Sequence, residues 1–295
     1  MRFDYVTVGH VTIDVLEDAR VGPSATAEPS ATTGAATTAD AGGGRRQPGG
    51  GAFYSALQAA RLGLRTLILT RGVPEELEAL LEPYRAELQV EIDAAERTTT
   101  LYTQGRGHAR RQRLLAWAGR FGESIAVDTA ILHLAPIARE TPSSWRGHAE
   151  LVGLTPQGLV RTWDEHGDVT RTALQSEQLP AHCDAIVFSA GERESCAELI
   201  PGSTPDAVVA VTAGALPTTI LPAGGAPLEV MPPTIAGPHD DLGAGDVFAA
   251  AFFVALHEGL APAAAAAYGN AAAAVRIAGV GPDAIGDRRA IAARL

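Results

Sequence analysis

The chain has 295 residues, of which 46% are hydrophobic, so it can bury a large core in one or two domains. Its 23 basic and 34 acidic residues give a formal net charge of −11, which argues against a general nucleic-acid or membrane-surface partner. Its two cysteines, Cys183 and Cys196, form no CxxC pattern, so neither a disulfide framework nor a zinc site is expected.

The first predicted element is a β-strand over residues 5–16, which is broken by Gly9 and carries Asp14 near its C-terminal end. Ligands bind at the carboxyl ends of strands in an open parallel sheet, so Asp14 is a candidate site residue; an exposed strand-end Asp is the simpler interpretation. No signal-peptide pattern precedes this strand, and no apolar run reaches the roughly 18 residues of a membrane span. We therefore expect a cytoplasmic protein.

Residues 17–47 are rich in Ala, Thr, Gly, Ser and Pro. Such a low-complexity segment has little apolar surface to bury and is expected to be flexible or disordered. It is followed by a glycine turn at residues 49–51 and by a predicted helix that ends at Gly63 and carries Tyr54 near its start.

The rest of the chain alternates strand-like and helical segments. Strands are expected over residues 64–70, 98–102, 129–136, 151–161, 185–189 and 208–214, a surface helix over 75–87, and a strand pair within 219–230. A basic cluster at residues 106–113 either contacts a phosphorylated ligand or forms a solvated turn. The alternation predicts an α/β fold with a doubly wound, mainly parallel sheet and helices on both faces, and we interpret residues 1–295 as one domain.

The most informative stretch is DDLGAGDVF at residues 240–248, which opens a continuous apolar run that is predicted to be a buried helix. A Gly-Ala-Gly turn at a helix N-terminus presents backbone N–H groups to an anion, and the helix dipole favours negative charge there. Asp246 lies in the first turn and faces the same place. A carboxylate beside a bound phosphate suits the removal of a proton from an attacking hydroxyl during phosphoryl transfer. The simpler interpretation is a glycine turn with an N-terminal acidic residue.

This motif resembles the C-terminal signature of the ribokinase/PfkB family of sugar and nucleoside kinases. The resemblance places Asp246 at the catalytic base and Gly243, Ala244 and Gly245 at the anion hole, while Asp241 departs from the usual Thr or Pro. It implies a small β lid over the substrate in the region of residues 17–47, reduced in this chain. The family's lid often mediates dimerisation, so the resemblance allows a homodimer.

The resemblance also implies substrate contacts in the N-terminal half. Asp14 matches an Asp that contacts substrate hydroxyls, and the turn at Gly49, Gly50 and Gly51 matches the family's N-terminal glycine pair. Tyr54 replaces the usual Asn, as in the branch resembling myo-inositol kinases; a half-buried helix aromatic explains it equally well. Gln157 and Arg161 match positions of the same branch, although an ordinary strand and turn would also explain them.

For the phosphoryl donor, the resemblance implies ATP and Mg²⁺, with Glu192 organising magnesium through water and Ser189 standing where the family has Asn. Thr212 and Gly214 resemble a nucleotide-contacting T-x-G. Asn270, in an Ala-rich helix that begins at Pro262, is the candidate adenine contact. Asp240 is the candidate ligand of a monovalent cation such as K⁺ behind the anion hole.

The predicted function is therefore transfer of the ATP γ-phosphoryl group to a hydroxyl of a small cyclitol, polyol or sugar. Two alternatives stay open. Tyr54 could stack on a base in a nucleoside kinase, or the departures at Tyr54, Ser189 and Asp241 could mark a kinase-like binding or regulatory protein. A dinucleotide-binding oxidoreductase is excluded because the first strand is not followed by a G-x-G-x-x-G turn.

Overall fold

The computed structural model describes residues 2–17, 44–122, 125–199, 207–222, 224–237 and 240–295. Most of the predicted low-complexity segment, residues 18–43, lies outside the described residues. Its two described ends correct the predicted boundaries, because Glu17 ends one strand and residues 44–47 belong to another.

The described strands are, in chain order, β1 (Phe3–Val8), β2 (Thr12–Glu17), β3 (Gly44–Gly49), β4 (Thr66–Gly72), β5 (Gln89–Ala94), β6 (Thr100–Gln104), β7 (Arg111–Ala116), β8 (Ile125–Leu134), β9 (Trp145–Leu154), β10 (Arg161–Trp163), β11 (Val169–Arg171), β12 (Ala185–Ser189), β13 (Val208–Ala213), β14 (Leu216–Leu221) and β15 (Leu228–Val230). The α-helices are α1 (Gly51–Arg61), α2 (Pro74–Leu81), α3 (Ala244–His257), α4 (Pro262–Ile277) and α5 (Arg288–Ala292).

Among the described residues, nine strands form the main sheet in the order β15-β14-β13-β12-β9-β8-β1-β4-β5. The pairs from β13 to β5 are all parallel, and β14 and β15 add antiparallel strands at one edge. The predicted strand pair at residues 219–230 is thus confirmed as an edge, and the mainly parallel α/β sheet is confirmed as a whole.

A second sheet of four described strands has the order β3-β2-β6-β7. The single first strand predicted over residues 5–16 is wrong: β1 ends at Val8, and β2 leaves the main sheet for this smaller one. Gly50, with φ of 87°, turns the chain from β3 into α1, and its Cα lies so close to the His10 carbonyl that a Cβ would stand 2.3 Å from its oxygen. Asp14 is consequently placed in the small sheet, which we call the lid sheet.

The main sheet is covered differently on its two faces. Tyr5, Ile131 and Val187 point toward α1, α3 and α4, while Val6, Leu132 and Ile186 point to the opposite face. The described segments on that second face are loops and short 3-10 turns, such as residues 197–199, rather than long helices. The period-two alternation of the strands decides which side chains meet which layer.

The two helices nearest the predicted site begin where the sequence indicates. α3 starts directly after Gly243, and the residues from Val247 to Ala255 are buried without exception, which explains its continuous apolar run. α4 has Pro262 in its first turn, where the missing N–H costs no hydrogen bond. Within the described residues, no helix is long and apolar enough to cross a membrane.

Candidate active site

A cavity lies between the lid sheet, the carboxyl ends of the central strands and the N-terminus of α3. Its volume is about 120 Å³, below the roughly 300–1,000 Å³ of pockets for drug-sized ligands, so in this conformation it suits a small ligand. The predicted site residues that line it are Asp14, Gly50, Gly51, Tyr54, Gln157, Ser189, Glu192, Thr212, Gly243, Gly245 and Asp246. These residues come from both halves of the chain.

The N-terminus of α3 forms one wall of the cavity. Gly243 precedes the helix with φ of 77°, and a Cβ there would stand 2.4 Å from the ring of Tyr54. Gly245 has open space where a side chain would be. The N–H groups of the first helical turn have no carbonyl partner within the helix, which leaves them available to an anion. The predicted contribution of Ala244 is weakened, because its N–H donates to the carbonyl of Asp241 at 3.3 Å.

Asp246 lies in this first turn and is only partly exposed. Burial raises the pKa of its carboxyl to about 7; Arg161 opposes this shift, and the negative charges of Glu192 and Asp14 add to it. The Ser55 hydroxyl donates to the Asp246 carbonyl at 3.2 Å, which ties α1 to the start of α3. The carboxylate lies against Gly51, where a Cβ would stand 2.9 Å from Oδ1. A proton acceptor with this pKa can exchange its proton near neutral pH.

Asp14 faces the same cavity from the lid sheet. Its side chain is 2% exposed, and burial raises the pKa of its carboxyl to about 6, against the opposing effect of a 2.7 Å hydrogen bond from the Thr12 hydroxyl. Gly49, on the neighbouring strand, leaves the space that the carboxylate fills, since a Cβ there would stand 2.2 Å from it. The predicted turn at residues 49–51 therefore accommodates both carboxylates.

Two arginines balance part of this negative charge. Arg161 donates to the Ile137 carbonyl at 3.3 Å and to Gln112 Oε1 at 2.9 Å; burial lowers the pKa of its guanidinium, and Glu192, Asp246 and Asp14 counteract that shift. Arg110 forms an ion pair with Asp241, whose second carboxylate oxygen accepts from the Gly107 N–H at 3.0 Å. Asp241, the residue that departs from the family pattern, thus links the turn of the lid sheet to the loop before α3.

Glu192 and Ser189 lie at the carboxyl end of β12. Glu192 Oε2 accepts from both the N–H of Ser189, at 2.9 Å, and its hydroxyl, at 2.7 Å. Thr212 is paired with Ser189 across the parallel strands β12 and β13. A buried carboxylate and nearby hydroxyls are hard oxygen donors, which magnesium prefers and commonly binds through water. Among the described residues, no group of three or more His, Cys, Asp or Glu side chains could hold a metal ion directly.

Besides Gly49 and Ala244, three predicted site residues are not among the described residues that line the cavity: Gly214, Asn270 and Asp240. Gly214, with φ of 65°, forms the turn between β13 and β14. Asn270 Oδ1 accepts from the Thr218 hydroxyl at 2.9 Å and its Nδ2 donates to the Val230 carbonyl at 3.2 Å. Its amide is therefore used to hold the antiparallel edge strands. Asp240 pairs with Arg276 at 2.9 Å.

Five polar residues at the cavity were not among the predicted site residues or were given no specific role: Arg110, Gln112, Thr155, Arg161 and Asp241. Arg110 belongs to the basic cluster at 106–113, of which Arg111 and Arg113 are exposed and Arg113 stacks over Tyr102 at 5.9 Å. The sequence indicated the basic cluster, but it could not show which of its arginines lines the cavity.

Residues 176–286 match the sequence profile of the pfkB family carbohydrate kinases. No curated protein sequence matches the chain.

Solved structures match nearly the whole chain at low identity. A pyrophosphate-dependent kinase in the ribokinase family, complexed with a pyrophosphate analog and myo-inositol, has 17% identity and a TM-score of 0.73 over 99% of this chain and 100% of that chain. Arabidopsis thaliana ribokinase, complexed with ribose and ATP, has 19% identity and a TM-score of 0.68 over 99% and 98% of the two chains. Methanocaldococcus jannaschii nucleoside kinase has 17% identity and a TM-score of 0.67 with the same coverage. The C-terminal part of the chain, residues 176–286, is thus similar in sequence to the pfkB family carbohydrate kinases, and the chain as a whole has the ribokinase-like fold.

Proposed function

We propose that this protein transfers the γ-phosphoryl group of ATP to a hydroxyl of a small cyclitol or other polyol. The observation that carries the proposal is the position of Asp246, a carboxylate with a pKa near 7 in the first turn of α3, facing the same small cavity as Asp14. The 17%-identical kinase complexed with myo-inositol supports a cyclitol acceptor.

In this mechanism the acceptor binds between the lid sheet and α1, with one hydroxyl at Asp14 and the reacting hydroxyl at Asp246. Asp246 takes the proton from the reacting hydroxyl, and the first-turn N–H groups of α3 stabilise negative charge on the transferring group. Arg110 and Arg161 offset the charge of the carboxylates. Glu192 would hold magnesium through water, and the bound ion would neutralise charge on the donor phosphates.

Tyr54 favours a polyol over a nucleoside as the acceptor. The residue is 1% exposed, and its ring contacts Gly243 and the Arg276 guanidinium, whose carbon is 5.6 Å from the ring centroid. Its hydroxyl accepts from Gln47 Nε2 at 3.2 Å. A ring enclosed in this way has no free face on which a base could stack.

The test is product formation with magnesium across a panel of cyclitols, sugars and nucleosides. Each acceptor is assayed with ATP, by ADP release, and with pyrophosphate, by phosphate release, because one similar kinase is pyrophosphate-dependent. We expect acceptor-dependent ADP release with a polyol. In Asp246→Asn it should fall by about 10²–10⁴-fold while ATP binding persists.

A normal turnover in Asp246→Asn would overturn the assignment of the base. Phosphate release from pyrophosphate without ADP release from ATP would overturn the donor but keep the acceptor. ATP binding without turnover on any acceptor would instead favour a binding or regulatory role.

A further inference from the structure

Behind the anion hole, the side chain of Arg276 enters from the last turn of α4 and is completely buried. Its Nη2 donates to Asp240 Oδ2 at 2.9 Å and to the Leu242 carbonyl at 2.7 Å, and its Nη1 donates to the Asp240 carbonyl at 3.3 Å. One guanidinium therefore contacts three oxygens of the loop that leads into Gly243.

Because the guanidinium occupies these oxygens, the residues do not fit the monovalent cation that the resemblance implied at Asp240. Such an ion needs several converging oxygen ligands, and the oxygens that converge here already accept from a fixed positive charge. The Asp240 carboxylate is further engaged, since Oδ1 accepts from the Leu242 N–H and Oδ2 from the Gly281 N–H, each at 3.0 Å. Burial acts to raise the pKa of Asp240, but the Arg276 guanidinium and the N–H groups of Leu242 and Gly281 together lower it.

Tyr54 connects this guanidinium to the anion hole itself. The Arg276 guanidinium carbon is 5.6 Å from the centroid of the Tyr54 ring, within the range of a cation–π interaction. The same ring lies against the Cα of Gly243. Arg276 and Gly243 thus both contact the Tyr54 ring at the start of α3.

We propose that the Arg276 guanidinium is a built-in cation that holds the Asp240–Gly243 loop, and with it the N–H groups at the start of α3, in the anion-binding position. The proposal rests on phosphoryl transfer at this site and deepens it. Arg276 is a positioning residue, since it acts through the loop. A guanidinium stays charged at every working pH and offers donors in a rigid plane, so the site needs no added monovalent ion.

The first experiment needs no variant. ADP release by the wild type is measured with magnesium and the active acceptor in tetramethylammonium, sodium or potassium chloride at constant ionic strength. We expect rates within about twofold of one another. A tenfold or greater stimulation by potassium would overturn the proposal.

The second experiment removes the charge. In tetramethylammonium, Arg276→Gln should lose at least 10²-fold in kcat with little change in the acceptor KM, and potassium or free guanidinium should restore part of the loss. Arg276→Lys should retain more activity than Arg276→Gln. Arg289→Gln, at an exposed arginine of α5, serves as the control and should behave as the wild type. A normal kcat for Arg276→Gln in tetramethylammonium would contradict the proposal.

A binding readout separates this inference from the proposed function. Calorimetric titration with Mg-ADP should give the same affinity for the wild type in all three salts, and an affinity at least tenfold weaker for folded Arg276→Gln. If the wild type turned over no acceptor, an unchanged Mg-ADP affinity across the salts would still support the built-in cation, while a potassium requirement for binding would overturn it.

Circular dichroism of each variant establishes that it is folded. If Arg276→Gln is not folded, the wild-type salt series and Arg276→Lys decide the question.

Discussion

At the scale of single residues, the two cavity carboxyls set the pH dependence that we expect. The pKa is about 7 for Asp246 and about 6 for Asp14, and both are raised chiefly by burial. Because the base must be ionised, kcat/KM should rise with pH and level off above about 7. The two apparent pKa values belong to the coupled pair. The measurement is a pH profile of kcat/KM from 5 to 9, in which Asp14→Asn should remove one of the two steps; a flat profile across this range would contradict the role of Asp246.

The same pKa makes a prediction about stability. An Asp ionises near 3.8 in the unfolded chain, and Asp246 ionises near 7 in the folded protein, so its contribution to stability falls as pH rises between these values. Above pH 7, the free energy of unfolding of Asp246→Asn should therefore be higher than that of the wild type, by on the order of 4 kcal/mol at most. Urea unfolding at pH 8 and pH 4.5 tests this, since the difference should shrink at the lower pH. A variant less stable than the wild type at pH 8 would contradict it.

At the scale of elements, the two glycines at the start of α3 have different tasks. Gly243 has φ of 77° and lies against Tyr54, so Gly243→Ala should cost at least about 1–2 kcal/mol and disturb the loop. Gly245 is helical with open space beside it, so Gly245→Ala should keep or raise stability by up to about 1 kcal/mol. Because Gly245 lines the cavity, the methyl group that Gly245→Ala adds should nevertheless weaken Mg-ATP binding. Thermal unfolding and titration of both variants separate the two effects, and equal stabilities would refute the distinction.

The lid sheet is joined to the loop before α3 by Arg110 and Asp241, whose side chains are 24% and 35% exposed. A partly exposed ion pair contributes up to about 1 kcal/mol, a factor of about five, and we expect Arg110→Ala to raise the acceptor KM by about that factor. Arg110 also faces the cavity, so the increase is expected to exceed that of Asp241→Ala. Arg111→Ala, at the exposed neighbouring arginine, is the matched control, and an equal increase there would argue against a specific link.

At the scale of the whole molecule, stability rests on close packing of the helical layer against the main sheet. Gly153 of β9 lies beneath the ring of Phe253 in α3, and a Cβ there would stand 2.4 Å from that ring. Gly153→Ala should therefore cost about 1–3 kcal/mol through overpacking, with kcat unchanged. Urea unfolding measures the loss, and the double variant Gly153→Ala/Phe253→Leu should recover part of it. No loss in the single variant would mean that α3 moves freely on the sheet.

The local sequence determined the type of the main sheet and the position of the α3 N-terminus. The strand and helix pattern predicted the mainly parallel α/β sheet, and GAGD before an apolar run predicted the α3 N-terminus with Asp246 in its first turn. These features depend on residues close together in the chain, where backbone geometry, glycine conformation and hydrophobic periodicity act directly. The same motif predicted the resemblance to the ribokinase/PfkB family, and residues 176–286 match the pfkB profile.

The tertiary structure decided which distant polar side chains meet. Arg110 pairs with Asp241, which is 131 residues away in the sequence. Arg276 pairs with Asp240 at a separation of 36 residues, and Asn270 bonds Thr218 at a separation of 52. It also placed Asp14 in the lid sheet rather than the main sheet, directed the Asn270 amide of α4 to the edge strands, and placed the Arg276 guanidinium where a free cation was expected. Local pattern cannot fix such partners, because a buried charge or amide must be satisfied by whatever group the folded layers bring within hydrogen-bond distance.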